Sequence, residues 1–165
     1  MGIKLNALVI DDSGVMRKMV MKSLTEAKLT EFEFTEAADG KDALDKLNGG
    51  DFHIAFVDWN MPNMTGIDFV REVRALEKSK DDDDPIPLVM VTSEKTMGKV
   101  QTALDEAGAD AFISKPFTVE ELAFKLKKVV DKAQLVAVKR LRRQKEREQL
   151  AAQKSSGGFF SKLLG

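Results

Sequence analysis

The sequence predicts an α/β domain in which a parallel five-stranded sheet is covered by helices on both faces. Short apolar runs alternate along the chain with longer segments whose apolar residues recur every three or four positions, the spacing of an amphipathic helix. A chain that alternates strand and helix in this way builds parallel strands, and the connecting helices cover the sheet. Right-handed crossovers then leave few topologies.

Each strand is predicted from its own pattern. The first, third, fourth and fifth are short apolar runs, typical of strands buried on both faces, whereas the second alternates charged residues with Phe32 and Phe34, typical of a half-buried strand. Lys115-Pro116 ends the fifth strand, because the residue before a proline is restricted. In chain order the predicted strands occupy residues 6–10, 31–36, 53–57, 88–91 and 111–114.

The helices are predicted from start and stop signals. Ser13 can cap the first helix, and Thr118 with Glu121 forms a capping box for the last. Glycines end the second and fourth helices. The segment 78–87 holds four consecutive aspartates and two prolines, so we expect a solvated loop there, with metal binding as the weaker alternative. The five predicted helices begin near residues 13, 40, 65, 96 and 118.

Composition excludes several classes of protein. The chain has no cysteine, which excludes disulfides, thiol catalysis and thiolate metal sites, and we expect a reducing, cytoplasmic setting. It has no long apolar run and no signal-peptide core near its start. The only histidine, His53, precedes the third strand, away from the other polar strand ends, so we expect it to have a packing role rather than a catalytic one.

The charge is strongly divided along the chain, although the net charge is only -1. Residues 1–124 carry 14 basic and 24 acidic side chains, whereas residues 125–165 carry 12 basic and 3 acidic ones. We therefore predict a globular domain over 1–134, a basic helical extension of the last helix over 135–154, and a flexible Ser/Gly linker with a hydrophobic tail over 155–165.

Polar side chains collect where the predicted strands end. Asp11 and Asp12 follow the first strand, Asp58 the third, Thr92 the fourth and Lys115 the fifth. In open α/β sheets, ligands bind at the carboxyl ends of the strands. Clustered carboxylates repel one another unless a cation lies among them, and oxygen ligands favour Mg2+. A carboxylate beside Mg2+, a lysine and a hydroxyl predicts the formation of an acyl phosphate.

These residues lie within longer matching stretches. The chain resembles the receiver domain of two-component response regulators, most closely the CheY-like chemotaxis members, over residues 1 to about 134. The matching stretches are Asp11-Asp12, Asp58-Trp59-Asn60-Met61-Pro62-Asn63-Met64, Val89-Met90-Val91-Thr92 and Lys115-Pro116-Phe117. The resemblance implies a flavodoxin-like sheet of strand order 2-1-3-4-5, here with an extended C-terminal helix.

The resemblance also implies roles for the site residues. Asp58 would accept a phosphoryl group from a phosphohistidine kinase. Asp12, Asp58 and the Asn60 carbonyl would bind Mg2+, with Asp11 acting through water. Lys115 would bind the phosphoryl group, and the family's cis Lys-Pro bond would hold its loop.

Two further residues would form the switch of this single-domain regulator. Thr92 and Phe112 would move on phosphorylation, and the surface of helix 4, strand 5 and helix 5 would then change its affinity for a protein target. The protein would be a signalling phosphoacceptor that assists its own phosphotransfer and dephosphorylation, not an enzyme. Phe112 lies where the chemotaxis members have Tyr, so no hydroxyl is available there.

The tail predicts a second contact. Its apolar residues follow a Gly-rich stretch and have no evident core to enter, so we expect a docking peptide for a protein partner, with membrane contact as the second alternative. The basic extension lacks interleaved aromatic residues, which argues against nucleic acid. The tail residues concerned are Phe159, Phe160, Leu163 and Leu164.

Three rival functions remain open from the sequence. A phosphate-sink receiver would accept and lose phosphoryl groups without an output partner. A regulator acting on nucleic acid through the basic extension would bind DNA in a salt-dependent way. A metal-dependent phosphatase would turn over exogenous phosphomonoesters, although the sequence offers no separate acid or base for that reaction.

Overall fold

The computed structural model describes residues 2–80 and 83–164, and side chains as far as residue 157. Five strands alternate with five α-helices, as predicted. The strands are β1 Leu5–Ile10, β2 Phe32–Ala37, β3 Ile54–Val57, β4 Leu88–Thr92 and β5 Ala111–Ser114. The helices are α1 Gly14–Glu26, α2 Gly40–Gly49, α3 Gly66–Ser79, α4 Met97–Gln101 and α5 Val119–Leu164.

The five strands form one parallel sheet of order β2-β1-β3-β4-β5. This confirms the predicted doubly wound, flavodoxin-like fold. β3 lies at the centre, and all four of its residues are buried, as the continuous apolar run predicted. β2 lies at an edge of the sheet and is half-buried, which explains why charged residues alternate with Phe32 and Phe34.

The sheet separates two hydrophobic cores. Residues of α1 and α5 pack on one face, where Val20, Leu122 and Leu126 meet Val9 and Ile54. Residues of α2 and α3 pack on the other face, against Leu8, Ile10 and Val57. Successive residues of a strand point to opposite faces, so each strand contributes to both cores.

The fourth helix differs from the regular helix predicted over 96–107. α4 covers only Met97–Gln101 and passes into a π-helical segment, Thr102–Ala107. The segment ends at Gly108, whose φ of 93° is in the left-handed region that glycine adopts without strain. The amide of Ala109 then donates to the carbonyl of Ala103 at 2.9 Å, which closes this wide turn.

The last helix also differs from the prediction. α5 runs without interruption from Val119 to Leu164, so residues 155–158 are helical where we predicted a flexible linker. Serine and glycine are poor helix formers. Once a helix has nucleated, however, each added residue gains a backbone hydrogen bond without a new nucleation cost. The predicted docking side chains, Phe159, Phe160, Leu163 and Leu164, lie outside the side chains that the structure describes.

The extension of α5 packs on the domain beyond residue 134. Val136 and Ala137 are buried. Arg140 donates to the carbonyl of Phe52 at 2.7 Å and pairs with Asp51 at 3.0 Å, on the segment that precedes β3. The folded unit therefore continues past residue 134, into the predicted basic extension.

Asp84 corrects the prediction that residues 81–84 form only a solvated loop. Its side chain is 6% exposed, and its Oδ2 lies 2.6 Å from Nη2 of Arg143, with Nζ of Lys139 3.8 Å from Oδ1. Asp81 and Asp82 lie outside the described residues. The basic extension thus neutralises an acidic group of the domain at the end of the sheet opposite the carboxyl ends of the strands.

His53 lies at the same end of the sheet. Its side chain is buried, and its Nδ1 accepts a hydrogen bond from the backbone N–H of Asn6 at 2.9 Å. Burial lowers the pKa of His53, with Asp51 opposing that effect and Arg140 adding to it. A neutral histidine that accepts a backbone hydrogen bond has a packing role, as expected.

None of the helices described within 2–80 and 83–164 combines the length and the apolarity that crossing a membrane requires.

The contact between Arg143 and Asp84 leads to a stability prediction. We expect Arg143→Ala to lower the free energy of unfolding by about 1–2 kcal/mol, because a buried carboxylate loses its closest cationic partner. Arg142→Ala is the matched control, because Arg142 is exposed and the change should remain within about 0.5 kcal/mol. Urea unfolding measures both; equal effects of the two substitutions would contradict the docking of the extension.

Candidate functional site

The carboxyl ends of the parallel strands gather the predicted site residues at one edge of the sheet. Asp11 and Asp12 follow β1, Asp58 follows β3, Thr92 ends β4, and Lys115 follows β5. All strands run in the same direction, so residues far apart in sequence meet here. The fold therefore brings these five side chains together, as predicted.

Three carboxylates lie close together at this edge. One oxygen each from Asp11, Asp12 and Asp58 lies within 4.8 Å of the others. Asp11 is buried, Asp58 is partly buried and Asp12 is exposed, so the group opens to solvent on one side. Three negative charges at this spacing repel one another and create a strong local preference for cations.

Lys115 provides the positive charge within the group. Its ammonium nitrogen lies 3.3 Å from Oδ2 of Asp11 and 3.8 Å from Oδ1 of Asp58, and its side chain is only 9% exposed. The backbone N–H of Lys115 donates to the carbonyl of Thr92 at 2.8 Å. The Lys115–Pro116 peptide bond is cis, as the resemblance implied.

The pKa of Asp58 is raised above its ordinary value. Burial is the largest cause, because it disfavours the charged form. The ammonium of Lys115 opposes the shift, the carboxylate of Asp11 adds to it, and a hydrogen bond with Thr92 opposes it. A cation bound among these carboxylates would favour the ionised form of Asp58.

The loop after β3 holds Asp58 through its backbone. The N–H of Asp58 donates to the carbonyl of Ile10 at 3.0 Å, and the N–H of Gly66 donates to the carbonyl of Trp59 at 2.8 Å. Gly66 begins α3 directly against this loop, and a Cβ at that position would overlap the carbonyl oxygen of Asp58. The close approach therefore requires glycine.

Thr92 and Phe112 occupy different environments. Thr92 is completely buried, and its hydroxyl oxygen accepts a hydrogen bond from the N–H of Glu94 at 3.3 Å. Phe112, on β5, is half-buried and packs against the core that α2 and α3 cover. The structure thus holds Thr92 beside Asp58 and leaves the Phe112 ring partly open to solvent.

Sequence reasoning missed Arg17, which supports the acidic loop from α1. Its Nη1 donates to the backbone carbonyl of Asp11 at 2.7 Å, and its Nε pairs with Glu36 at 2.9 Å. Ser13 caps the same helix, and its own N–H donates to the carboxylate of Asp11 at 2.9 Å. An arginine one turn after a capping serine was the available signal.

A second set of contacts, also missed, crosses the mouth of the site. Nζ of Lys99 lies 2.8 Å from the carboxylate of Glu94 and 5.3 Å from the centre of the Trp59 ring. The amide nitrogen of Asn60 donates to Glu94 at 3.2 Å. Lys99 first, and then Asn60, lower the pKa of Glu94. These contacts join the loop after β3 to the loop after β4.

The donor set fits a hard divalent cation. Carboxylate and carbonyl oxygens are the ligands that Mg2+ prefers, and the exposed side of the carboxylate group leaves room for the waters that Mg2+ retains. The chain has no cysteine, and its one histidine is not among these donors. This chemistry does not suit a soft or strongly nitrogen-preferring metal.

Comparison with known proteins identifies the family and agrees with the fold. The family model of the response regulator receiver domain matches residues 7–127. The chain belongs to the response regulator receiver family. It carries one receiver domain of CheY type, and proteins of this family are signalling proteins rather than classical enzymes. Receiver domains bind Mg2+ at an acidic pocket, and a group of three aspartates is present in this chain.

Curated relatives are chemotaxis proteins. The chain is 38% identical to the chemotaxis protein CheY of Pseudomonas aeruginosa, over 76% of this chain and 95% of that protein. It is 40% identical to a CheY homolog of Campylobacter jejuni, over 74% of this chain and 90% of that protein.

Solved structures agree with this assignment. The Vibrio cholerae chemotaxis response regulator CheY4 is 35% identical and superposes with a TM-score of 0.64, covering 77% of this chain and 99% of that one. The response regulator TrrA of Thermotoga maritima, solved in complex with Mg(2+)-BeF, is 27% identical, with a TM-score of 0.61 over 76% of this chain and 98% of that one. The family match ends at residue 127 and leaves most of α5 outside.

The close approach at Gly66 of the receiver domain gives a testable prediction. We expect Gly66→Ala to lower the free energy of unfolding by about 1–3 kcal/mol, because the added methyl group displaces the Asp58 loop. Gly98→Ala is the control: it lies in α4 with open space around its Cβ direction and should be neutral or stabilising by about 0.5–1 kcal/mol. Thermal unfolding of both variants measures the difference, and similar shifts for the two would contradict the steric account.

Proposed function

We propose that this receiver domain is a phosphorylation switch, in which Asp58 accepts a phosphoryl group from the phosphohistidine of a sensor kinase. The observation that carries the proposal is the meeting of Asp58 with Lys115 and two further aspartates at one partly open edge of the sheet. Lys115 is nearly buried, so its charge is screened little by solvent. This arrangement supplies a nucleophile and a counter-charge to the incoming group.

The proposed transfer breaks one bond and forms another. A carboxylate oxygen of Asp58 attacks the phosphorus, the bond from phosphorus to the kinase imidazole nitrogen breaks, and an acyl phosphate forms on Asp58. Lys115 pairs with a phosphoryl oxygen, and the Thr92 hydroxyl donates a hydrogen bond to another. Hydrolysis of the acyl phosphate by water returns Asp58 to its carboxylate form. Positioning and charge neutralisation are most of what such a transfer requires.

Mg2+ is the proposed cofactor. Asp12, Asp58 and the Asn60 carbonyl would hold it, with Asp11 acting through water. When bound, Mg2+ neutralises the negative charge on the phosphoryl oxygens and on Asp58. Lys115 alone cannot balance three carboxylates together with an incoming phosphoryl group, which is why the carboxylate group needs the second cation.

The proposed output is a change in protein binding. A phosphoryl group on Asp58 attracts the hydroxyl of Thr92, and Phe112 then moves inward, which alters the surface that α4, β5 and α5 share. Exposed apolar residues on these elements support a protein target: Met97 of α4 is 88% exposed and Phe124 of α5 is 86% exposed. Leu104, on the π-helical segment that continues α4, is 37% exposed. Exposed apolar groups of this kind favour an output partner over a phosphate sink, which needs none.

The partner and the process follow from the relatives. The curated relatives are named chemotaxis proteins, so we propose a chemotaxis-type pathway with a histidine kinase upstream and a protein target downstream. We do not favour nucleic acid as the target, because Lys139, Arg140 and Arg143 of the basic extension pair with acidic groups of the domain itself. Such paired cations contribute little to phosphate binding.

The apolar tail is a proposed docking segment. Its support is the sequence, where Phe159, Phe160, Leu163 and Leu164 follow a long stretch with no other large apolar residue after Leu150. Burial of each such side chain contributes about 1.5–3 kcal/mol. We propose a protein partner, with an anionic membrane as the alternative.

Trp59 allows a direct test of the phosphorylation switch. We expect Mg2+ and then a small-molecule phosphodonor to change its fluorescence in two steps, because Trp59 adjoins Asp58 and contacts Lys99. Mg2+ at ten times its Kd should also raise the free energy of unfolding by about 1.4 kcal/mol.

Asp58→Asn is the control for this test. It retains the shape of the side chain, should weaken the Mg2+ response and should abolish the donor response. If the wild-type protein responds to neither Mg2+ nor donor, the domain is not a phosphorylation switch.

Deletion of residues 157–165 tests the docking role of the tail. We expect the deletion to remove tail-dependent partners in a pull-down and to change localisation, while the Trp59 response to Mg2+ stays the same because the site lies at the other end of the domain. Unchanged partners and unchanged localisation would refute the docking role and leave the phosphorylation proposal intact.

A further inference from the structure

The end of α5 is a helix without visible support from the domain. All residues from 141 to 157 are exposed, and among the described side chains of 144–157 the structure shows one side-chain hydrogen bond, between Gln144 and Glu148 at 3.3 Å. This segment continues a helix that is nucleated on the domain, but Ser155, Ser156 and Gly157 are poor helix formers. Its exposed surface is open to a partner.

One stripe of the exposed helix is apolar where it leaves the domain. Leu135 is 60% exposed and Val138 is 39% exposed, on the side of α5 away from the buried Val136 and Ala137. Alternating steps of three and four residues, counted on from Leu135 and Val138, mark the helix positions that would face a second helix lying alongside. We call this set of positions the stripe. The positions of this stripe are 135, 138, 142, 145, 149, 152, 156, 159 and 163.

The stripe is apolar at its two ends and polar or small in its middle. Leu135 and Val138 form the first end, and the same spacing reaches Phe159 and Leu163 at the other. Gln149 lies at the midpoint. Consider a second copy of the helix that runs in the opposite direction, with a two-fold axis near Gln149. The Leu135 end of one copy then lies beside the Leu163 end of the other.

Charge decides between the two directions of pairing. Residues 139–148 hold six basic and two acidic side chains, whereas Lys154 is the only charged residue over 149–158. Antiparallel pairing sets the basic half of one helix beside the nearly neutral half of the other. Parallel pairing would set Arg142 and Lys145 of the stripe against their own copies, which is unfavourable.

We propose that the extension of α5 is a dimerisation element that pairs antiparallel with a second copy of this chain. The exposed Leu135–Val138 stripe of one copy covers the apolar tail of the other. This inference rests on the proposed docking role of the tail and names its occupant, but it does not depend on phosphorylation of Asp58. Each dimer would carry two receiver domains at its ends, and would therefore bind a multivalent partner at two points.

The mass of the purified full chain in solution tests the pairing. We expect light scattering behind size exclusion to give twice the 18.3 kDa monomer mass, and the double variant Leu135→Glu with Val138→Glu to give the monomer mass. Leu150→Glu is the matched control, because Leu150 is 58% exposed but lies off the stripe, so this variant should remain a dimer. Circular dichroism checks that each variant is folded.

Cross-linking tests the direction, since the chain has no cysteine of its own. We expect a mixture of Lys145→Cys and Ala152→Cys chains to form a disulfide-linked dimer under oxidant, and neither variant alone to do so. Cross-linking of Lys145→Cys to itself would overturn the antiparallel arrangement.

A monomer at all concentrations, or a dimer that survives the double glutamate variant, would overturn the pairing. A monomeric protein whose tail deletion still removes other partners would refute the pairing alone and leave the docking role in place. An unchanged Trp59 response in every variant would show that phosphorylation is independent of either result.

Discussion

The repulsion among three carboxylates at the carboxyl edge of the sheet is the constraint on which the rest of this receiver domain depends. Asp11, Asp12 and Asp58 each offer an oxygen within 4.8 Å of the others, and Lys115 supplies one positive charge among them. That ammonium is nearly buried, so solvent screens its attraction to the carboxylates only weakly. One ammonium does not balance three carboxylates, so the remaining negative charge favours a further cation at this edge of the sheet. Burial also raises the pKa of Asp58, while the ammonium of Lys115 opposes that shift.

The backbone holds this unfavourable group in place. Parallel strands deliver the acidic residues to one edge, the Asp58 loop is fixed by the carbonyl of Ile10, and Gly66 lets α3 begin directly against it. Arg17 anchors the carbonyl of Asp11 from α1, and Lys99 joins the loops that follow β3 and β4. The energy that offsets the local repulsion comes from the two cores, which pack the apolar residues of every strand on both faces of the sheet.

The opposite end of the sheet carries the feature that separates this chain from its relatives. The family match ends at residue 127, whereas α5 continues and contacts the segments before β3 and β4 through Arg140 and Arg143. The carboxylate group and the contacts of the extension thus lie at opposite ends of the same two strands. The division of charge along the sequence has a structural counterpart in these ion pairs, because the basic extension neutralises part of the acidic domain.

The sequence by itself determined the alternation of strands and helices, the parallel sheet and the candidate site. Apolar periodicity and the residues at strand ends are local patterns that can be read directly. In a parallel sheet, all of these strand ends lie at the same edge. Only the tertiary structure decided the rest. Asp84 looked like a solvated residue in an acidic run, and its burial depends on Arg143, which lies far away in sequence. The roles of Arg17 and Lys99 required the distances to Asp11, Glu94 and Trp59. The π-helical end of the fourth helix and the helical course of residues 155–158 likewise depend on backbone hydrogen bonding, which residue type only biases.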